Sequence, residues 1–372
     1  ASRKTATPRA RAILSRRPDT AMDIPVDSYR EALTRATETG SPVVIRGGGS
    51  KSFYGRPVDG TPLDVSTHTG IIDYSPTELV ISARAGTRLA DLEAALAAEN
   101  QMLPFEPPYF GPDATLGGTI ACGLSGPRRP FAGAARDFVL GITCINGRGE
   151  LLRFGGQVMK NVAGYDVSRT LTGSLGTLAL LLEISLKVLP RAEHELTLYR
   201  QASESEAIAL FIRWAGQPLP LSAASYIDGH LHIRLSGYEQ GVTAAADIVG
   251  GEEMEDGTAF WQGLREQTLP FFAGERPLWR VSIPPASAPL PLEGDILLDW
   301  GGAQRWIRTD QPADAVRNAA HAAGGHATRF RDSDREDVFH PLPDALMALQ
   351  QRLKASFDPA GILNPGRMYE GL

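Results

Sequence analysis

The sequence predicts a two-domain α+β fold with one large and one smaller unit. Its 372 residues exceed the length at which a single hydrophobic core usually stops growing. Apolar residues make up 42% of the chain and charged residues 22%, which is typical of globular proteins and argues against disorder and fibrous repeats. The 39 glycines and 27 prolines exceed average usage, so many turns or close backbone contacts are expected between alternating helices and strands.

Charge is distributed unevenly along the chain, whose formal net charge is −6. Residues 1–21 contain six basic side chains and one acidic side chain, and they lack the apolar segment of a secretory signal. We expect them to form a mobile basic leader. The rest of the chain is acidic, which argues against nonspecific nucleic-acid binding because that binding depends on neutralising phosphates with Lys and Arg. A small molecule or another protein is therefore the expected partner.

Cysteine content and hydropathy indicate a cytoplasmic protein. The two cysteines, Cys122 and Cys144, cannot form a disulfide framework or a cysteine-rich metal site, and a reducing compartment is the default for such a chain. The longest apolar run, Leu178 to Leu182, is far shorter than the roughly 20 residues that span a bilayer. Any contact with the inner membrane is therefore expected to be peripheral.

The first hundred residues predict helices and strands in alternation. Ser28 and Glu31 have capping-box spacing at the start of a helix whose apolar stripe contains Ala32, Leu33 and Ala36. The pattern then predicts a strand at 42–45, a strand at 78–83 and a helix that begins at Thr87.

Turn signals define the next elements. Residues 146–149, Asn-Gly-Arg-Gly, lie between two strand-like runs at 139–145 and 150–154 and predict a β-hairpin. Residues 104–118 are rich in proline and glycine and are expected to form no regular structure, since proline lacks a backbone donor and glycine weakens helices and strands. Residues 178–189 predict another strand.

Beyond Pro190 the pattern predicts a mixed sheet with helices on one face. Asp228-Gly229 is a two-residue turn between strand-like residues 225–227 and 230–235. The remaining predicted elements are helices at about 204–214, 312–323 and 343–356, and strands near 277–283, 295–300 and 304–309.

Three glycine-rich segments provide the strongest functional signal. Residues 46–52 follow a strand directly, so consecutive N–H groups could bind a pyrophosphate, although an ordinary glycine turn has the same composition. The loop is neither a Rossmann G-x-G-x-x-G nor a P-loop, because no suitable helix follows at once and no G-K-[ST] closes it. Residues 114–123 form the second segment, and residues 160–167 with 173–177 form the third. Together they predict an extended ligand such as a dinucleotide.

Several motifs follow one another in a recognisable order: Arg46 to Gly55, Met102 to Pro108, Thr115 to Gly118, Gly126 to Pro130, Arg136 to Gly141, Gly155 to Asp166, Gly173 to Thr177, Gly324 to Phe330 and Asp358 to Gly366. Their order and spacing resemble the vanillyl-alcohol-oxidase family, which has a PCMH-type FAD-binding domain. In detail they are similar to the FAD-binding subunits of bacterial glycolate oxidases. The resemblance implies a two-lobed FAD-binding domain at 22–190, a smaller α+β cap domain at 191–339 and a C-terminal segment, 340–372, that returns to the FAD domain.

The resemblance also implies FAD as the cofactor. Ser50 stands where many relatives carry the histidine that attaches FAD covalently, so we expect non-covalent FAD. Cys122 is an alternative point of attachment, but a small buried cysteine is the preferred interpretation. The residues that the resemblance assigns to FAD binding are Arg46, Gly47, Gly48, Gly49, Ser50, Asp113, Thr115, Gly117, Gly118, Thr119, Gly173, Ser174, Gly176, Thr177, Asn364 and Arg367.

The substrate half departs from the larger 2-hydroxy-acid dehydrogenases of this fold, because it lacks their histidine-rich metal and base motifs. No metal site is predicted. His230 and His232 have no third ligand and are interpreted as part of a solvated strand face. His326 and Arg329 form the best candidate catalytic pair, since the Arg could bind a carboxylate and the His could move a proton. A structural role for His326 is an equally good interpretation.

The resemblance implies an FAD-bearing accessory or electron-relay subunit of a glycolate oxidase complex. That complex oxidises glycolate to glyoxylate with a larger FAD-containing catalytic subunit and an iron-sulfur subunit. One alternative is a stand-alone FAD-dependent oxidase or dehydrogenase of a small alcohol or 2-hydroxy acid. A second alternative is a flavin-free scaffold subunit, against which the glycine-rich segments argue. Glycolate and D-lactate differ by one methyl group, and no residue of the sequence separates them.

Overall fold

The computed structural model describes residues 24–156 and 167–372. Its N-terminal lobe contains short helices around a five-stranded sheet. In chain order the elements are α1 (Ile24–Thr39), β1 (Val43–Arg46), β2 (Thr61–Asp64), β3 (Ile71–Ser75), β4 (Val80–Arg84), α2 (Leu89–Ala98), β5 (Gln101–Met102), α3 (Leu116–Cys122), α4 (Arg129–Ala132), α5 (Ala135–Phe138), β6 (Val139–Asn146), β7 (Leu151–Gly155), α6 (Val167–Leu171), β8 (Ala179–Lys187) and β9 (Leu189–Pro190).

The five-stranded sheet has the order β3-β4-β8-β6-β7, and its pairings are antiparallel. The predicted hairpin of β6 and β7 is confirmed. In its turn, Asn146 Oδ1 accepts hydrogen bonds from the N–H groups of Arg148 and Glu150 at 2.9 and 3.0 Å. Strands β1 and β2 form a separate parallel pair. Apolar residues of α2 and α3 pack on the five-stranded sheet and form the core of this lobe.

A second lobe follows β9 and is built on an eight-stranded sheet. Its elements, together with the last helix of the chain, are β10 (His194–Gln201), α7 (Glu204–Ala215), β11 (Leu221–Ile227), β12 (His230–Gly237), α8 (Glu239–Val249), β13 (Glu252–Glu253), α9 (Gly257–Glu266), β14 (Leu278–Ser282), β15 (Asp295–Asp299), β16 (Gln304–Arg308), α10 (Ala313–Ala322), β17 (His326–Arg331) and α11 (Asp344–Phe357).

The eight-stranded sheet has the order β13-β10-β12-β11-β15-β16-β14-β17, and its pairings among the described residues are antiparallel. The prediction of a mixed sheet is therefore wrong. The predicted helices α7 and α10 pack on one face, as expected, and α8 packs there too, but α9 packs on the opposite face. A strand's local pattern does not determine its direction relative to a distant neighbour, which explains the error.

The helices predicted at 204–214, 312–323 and 343–356 are confirmed within a few residues. Helix α1 begins at Ile24, so Ser28 lies inside the helix and the prediction of a capping box at its start is wrong. Helices α8 and α9 and strands β10 and β17 are among the elements that were not predicted. Helix α9 contains Gly257 and Gly263, which lower intrinsic helix propensity. The connector at 104–118 is irregular as far as Thr115, but α3 begins at Leu116. Among the described residues, no helix is long and apolar enough to cross a bilayer. The basic leader at 1–21 lies outside the described residues.

The two lobes meet through an aromatic group that we call the interlobe cluster: Phe53, Tyr54, Phe110, Trp306 and Phe330. The ring of Phe330 lies 5.5 Å from Phe53, 5.3 Å from Tyr54 and 4.9 Å from Trp306, measured between ring centroids. Phe53 and Phe110 are also 5.5 Å apart. These separations are typical of favourable aromatic pairs, so the cluster holds the two lobes together.

Buried charges reinforce the junction between the lobes. Glu106 accepts hydrogen bonds from Arg128 of the N-terminal lobe at 3.1 Å and from Arg234 of β12 at 2.7 Å. Arg128 also donates to Glu195 of β10 at 3.1 Å. Glu106, Arg128 and Arg234 are largely buried, so each of these charges depends on its partners for the solvation that water would otherwise supply, whereas Glu195 is exposed.

The C-terminal segment packs against the N-terminal lobe. Val43 N donates to Ile362 O at 2.8 Å, and Asn364 N donates to Val43 O at 3.0 Å. Lys354 anchors the segment: its Nζ donates to Asp358 Oδ2 at 2.7 Å, Thr177 O at 2.7 Å and Leu363 O at 2.8 Å. The ammonium thus connects α11, the turn before β8 and the chain terminus.

The anchor predicts a large effect of Asp358→Ala on stability. Removing one partner of a buried ion pair leaves an uncompensated charge, so the free energy of unfolding should fall by about 3–5 kcal/mol in a urea titration. The control is Asp310→Ala, which removes an exposed carboxylate that pairs with Arg276 at 3.1 Å. The control should lose no more than about 1 kcal/mol. Similar losses in the two variants would contradict an anchoring role for Lys354 and Asp358.

Candidate functional site

A cavity of about 510 Å³ opens where four segments distant in sequence come together. The segments are the loop after β1, the start of α3, the turn before β8 and the C-terminal segment. The cationic residues in its wall are Arg46, Lys51, Arg335 and Arg367, and no acidic residue of the described chain lines it. The cavity therefore favours an anionic ligand.

The loop after β1 presents its backbone to the cavity. All of residues 47–51 line the cavity, and their N–H groups donate to no atom in the described parts of the chain. Gly49 has φ +71°, a left-handed conformation that glycine adopts at little cost. Consecutive N–H groups without acceptors form an anion-binding concavity, or nest, and phosphate is a typical occupant.

Two glycines hold the loop and α3 in place. A Cβ atom on Gly48 would overlap the carbonyl oxygen of Asp113. A Cβ atom on Gly117 would lie 2.9 Å from the carbonyl oxygen of Ala85. Both glycines are therefore required by packing within the protein itself, whereas the unused N–H groups of the nest are available to a ligand.

Helix α3 shapes the cavity but uses its own first donors. Thr115 Oγ1 accepts a hydrogen bond from Gly118 N at 3.2 Å, and Gly117 N donates to Ala85 O at 2.7 Å. Leu116 N donates to Thr87 O at 2.9 Å. These N–H groups of α3 already have acceptors. An anion would therefore find more available hydrogen-bond donors at the nest than at the start of α3.

The C-terminal segment closes the cavity by bridging two other segments. Asn364 Oδ1 accepts a hydrogen bond from Ile45 N at 2.9 Å, and its Nδ2 donates to Leu175 O at 2.7 Å. Arg367 donates to the carbonyl oxygens of Ser52 and Arg56 at 2.9 and 2.8 Å. The segment thus fixes the loop after β1 relative to β8.

Arg335 is a cavity residue that sequence reasoning missed. Its guanidinium donates hydrogen bonds to Ser52 O at 2.8 Å and to Gly55 O at 2.6 Å, and these bonds hold the loop after β1 in place. The residue lies between β17 and α11, in a stretch without a glycine motif or a regular pattern. No local signal in the sequence could have identified it.

The structure brings together most of the residues assigned to FAD binding. Asp113, Thr119, Gly173, Ser174 and Thr177 lie behind the wall rather than in it. The Ser174 hydroxyl donates a hydrogen bond to Leu171 O at 2.8 Å, and the Thr177 hydroxyl donates one to Ser174 O at 2.7 Å. Residues 160–166 of the third glycine-rich segment lie outside the described residues. The assigned residues that line the cavity are Arg46, Gly47, Gly48, Gly49, Ser50, Thr115, Gly117, Gly118, Gly176, Asn364 and Arg367.

Cys122 lines the same cavity, next to Ala121 at the end of α3. It is a free thiol and is partly buried. Burial raises the pKa of the thiol, while the positive charges of Lys51 and Arg367 oppose that rise. A neutral thiol is a weak nucleophile, which agrees with the expectation that FAD is not attached here.

The candidate catalytic pair lies away from the cavity. His326 and Arg329 are both on β17, and neither lines the cavity. The guanidinium of Arg329 forms ion pairs with Asp332, at 3.4 Å, and with Asp334, and it lies over the ring of Trp279. Its positive charge is therefore already matched by two carboxylates. His326 is exposed at the start of β17.

The interpretation of His230 and His232 as a solvated strand face is wrong for His232. This side chain is only 7% exposed and stacks on Phe260 with 4.1 Å between ring centroids. Burial lowers the pKa of His232 to about 4, so the imidazole is neutral at physiological pH. The ring is part of the packing between β12 and α9. Among the described residues, no cluster of potential ligands could hold a metal ion.

The cavity fits FAD in its donors and its charge. A pyrophosphate requires hydrogen-bond donors and positive potential, and the nest together with Arg46 provides both. The segments around it supply apolar surface for the two aromatic ends of the molecule, including Ile45, Val65, Leu175 and Leu181. When bound, FAD supplies the redox chemistry that amino-acid side chains lack.

These features define a flavoprotein, and the comparisons with known proteins agree. Residues 26–155 match the family model described as an FAD binding domain. The fold is that of solved alkyldihydroxyacetonephosphate synthase, with a TM-score of 0.64 over 91% of this chain and 74% of that chain at 15% identity. At that identity the likeness concerns the fold alone. The predicted α+β FAD-binding fold and the predicted cofactor are confirmed.

Sequence relatives identify the family more narrowly. The chain is 52% identical over 342 residues to glycolate oxidase subunit GlcE of Escherichia coli (strain K12), which covers 92% of this chain and 97% of that protein. It is 30% identical over 185 residues to glycolate oxidase subunit GlcD of Bacillus subtilis (strain 168), covering 49% of this chain and 39% of that protein. The chain belongs to the GlcE family of glycolate oxidase subunits, and it is an FAD-dependent oxidoreductase subunit.

The glycine contacts predict that Gly48→Ala impairs FAD binding. Moving the loop away from Asp113 should lower the free energy of unfolding by about 1–3 kcal/mol, as overpacking usually does. The same movement should draw the N–H groups of the nest apart. In a flavin-fluorescence titration of the apoprotein, we expect the dissociation constant of FAD to rise at least tenfold.

The matched control is Gly241→Ala in α8, where a Cβ atom would meet nothing within 4 Å. Because alanine favours helices, this variant should gain about 0.5–1 kcal/mol and bind FAD as before. Unchanged FAD affinity in Gly48→Ala would contradict the role of the nest.

Proposed function

We propose that this chain is the accessory, electron-relay FAD subunit of a glycolate oxidase complex. In that complex a larger FAD-containing catalytic subunit oxidises glycolate to glyoxylate, releasing two electrons and two protons, and an iron-sulfur subunit passes electrons onward. The FAD of this chain exchanges electrons with those partners and does not oxidise glycolate itself. The names of the relatives GlcE and GlcD, both subunits of glycolate oxidase, support a multi-subunit assembly.

The observation that carries the accessory role is the filled space between the lobes. The interlobe cluster occupies the region where the second lobe faces the FAD-binding lobe, and the small space beside Phe330 and Trp306 measures only about 20 Å³. Such a volume holds about one water molecule, since a cavity needs roughly 10–15 Å³ to hold one. A two-carbon hydroxy acid would not fit without displacing an aromatic ring.

The charged groups near β17 also support this role. A carboxylate substrate needs an available cation, and Arg329 is already paired with Asp332 and Asp334. His326 and Arg329 remain our candidates for catalysis only under the alternative in which the chain acts alone. In that case Arg329 would have to exchange both acidic partners for substrate.

The organisation of the chain fits an accessory subunit. We propose an FAD-binding domain at 22–190, a cap domain at 191–339 and a C-terminal segment at 340–372 that completes the FAD domain. The cap and the exposed face of α11 are then available to partner subunits. We further propose a cytoplasmic location with any membrane contact made peripherally through the complex.

The accessory role predicts that glycolate does not reduce the isolated chain. The FAD absorbance of the purified protein should remain that of oxidised flavin after anaerobic addition of glycolate, because the interlobe space admits no substrate. Dithionite is the control and should bleach the same sample. Rapid bleaching by glycolate alone would refute the accessory role and favour the stand-alone enzyme.

Non-covalent attachment predicts that acid precipitation releases all the FAD. The flavin absorbance should pass into the supernatant, since Ser50 offers no imidazole and the raised pKa of Cys122 keeps the thiol neutral. Cys122→Ala is the control and should release its FAD identically. Colour that stays with the wild-type pellet but not with the Cys122→Ala pellet would show a thioether at Cys122.

A further inference from the structure

Lys51 is a buried cation that has no carboxylate partner among the described residues. The residue is 7% exposed, and its Nζ donates to Tyr109 O at 3.1 Å and to Ser50 Oγ at 3.4 Å. Within the described residues no carboxylate lies within 4 Å of the Nζ atom. Its hydrogen bonds are therefore to neutral oxygens, which do not balance a full positive charge.

Glu266 does not supply the missing negative charge at close range. Its carboxylate accepts hydrogen bonds from Tyr109 N at 3.0 Å and Phe110 N at 2.9 Å, and it also forms an ion pair with Arg265 at 2.8 Å. Burial lowers the pKa of Lys51, and the attraction of Cys122 and Glu266 only partly opposes that effect. A negative charge that entered the cavity would stabilise the ammonium.

The side chain of Lys51 lies at the interlobe end of the cavity. Its Nζ is 5.9 Å from the ring centroid of Phe110, which belongs to the interlobe cluster. Leu175 and Cys122 line the cavity and are also part of, or packed against, the larger apolar cluster that contains Tyr54, Trp306 and Phe330. The nest, by contrast, gathers its donors from backbone N–H groups. The ammonium, which lies beside Phe110, is thus a donor separate from the backbone N–H groups of the nest.

Reduction of FAD creates such a charge. When the ring takes up two electrons and one proton at N5, it becomes an anion whose charge lies on the N1–C2=O side, and nearby positive charge favours that state. We propose that Lys51 faces the isoalloxazine ring of FAD and stabilises its reduced, anionic form. The inference rests on the proposed relay function, because a relay must hold electrons long enough to pass them on.

The test compares charge-removing and charge-keeping variants of the FAD-loaded chain. Lys51→Met removes charge and hydrogen bond, Lys51→Gln keeps a donor for Tyr109 O without charge, and Lys51→Arg keeps the charge. Lys187→Met removes a lysine that does not line the cavity and serves as the matched control. The readouts are the midpoint potential of the FAD, the dissociation constant of sulfite and the dissociation constant of FAD.

Sulfite is an informative probe because it adds to flavin N5 and leaves the same negative charge on the ring. We expect Lys51→Met and Lys51→Gln to bind sulfite at least tenfold more weakly. The equilibrium constant for two-electron reduction of the FAD should also fall at least tenfold, and a tenfold fall corresponds to a midpoint potential about 30 mV more negative. Lys51→Arg and Lys187→Met should retain values near those of the wild type.

Other outcomes would overturn the inference. An unchanged potential and sulfite affinity in Lys51→Gln would show that the residue contributes only its hydrogen bond. Tenfold weaker FAD binding at an unchanged potential would make Lys51 a ligand of the pyrophosphate instead. If the wild-type chain bound no FAD at all, the proposed relay function would fail first, and that result is distinct from every result with the variants.

Discussion

The buried ammonium of Lys354 is the interaction on which the cavity depends. It binds carbonyl oxygens at Thr177 and Leu363 together with the carboxylate of Asp358. These contacts bring the C-terminal segment against the turn before β8 and place Asn364 between Ile45 and Leu175. Three segments that are more than a hundred residues apart thus become one wall. The arrangement is stabilised because longer distances from the ammonium to these oxygens would leave a buried positive charge without compensation.

The hydrogen-bond donors that the cavity offers to a cofactor come mainly from the backbone. The nest consists of N–H groups that have no acceptor in the described parts of the chain, whereas the glycines beside it are needed for contacts within the protein. Gly48 and Gly117 would be required even in a chain without FAD, because their neighbours leave no space for a Cβ atom. The ligand-directed signal is therefore the set of unused donors and the excess of cationic side chains, rather than the glycine content itself.

The junction between the lobes combines two kinds of contact with different consequences. The interlobe cluster fills space between the two lobes with aromatic rings, and the buried Glu106 pairs with Arg128 of one lobe and Arg234 of the other. Close by, Asp299 accepts hydrogen bonds from Trp300 N and Gln304, and burial nevertheless raises its pKa to about 7. The aromatic and charged contacts together join the two lobes.

Local chemistry in the sequence determined the elements whose signals lie within a few residues. The β6–β7 hairpin, the β11–β12 hairpin around Asp228-Gly229 and the glycine loop after β1 were all predicted, because turn geometry and hydrophobic period are properties of adjacent residues. The resemblance of short motifs was likewise sufficient to identify the cofactor, and eleven of the sixteen residues that it assigned to FAD binding line the cavity.

Tertiary structure alone decided what depends on residues far apart. Antiparallel pairing of β11 with β15 brings together strands separated by a long connection, and no local pattern determines their direction. Arg335 lines the cavity and His232 is buried against Phe260 because of what packs around each of them. For the same reason Lys51 has no carboxylate partner within the part of the chain that the structure describes. Burial and charge compensation are properties of the assembled surroundings, so they exist only after the chain has folded.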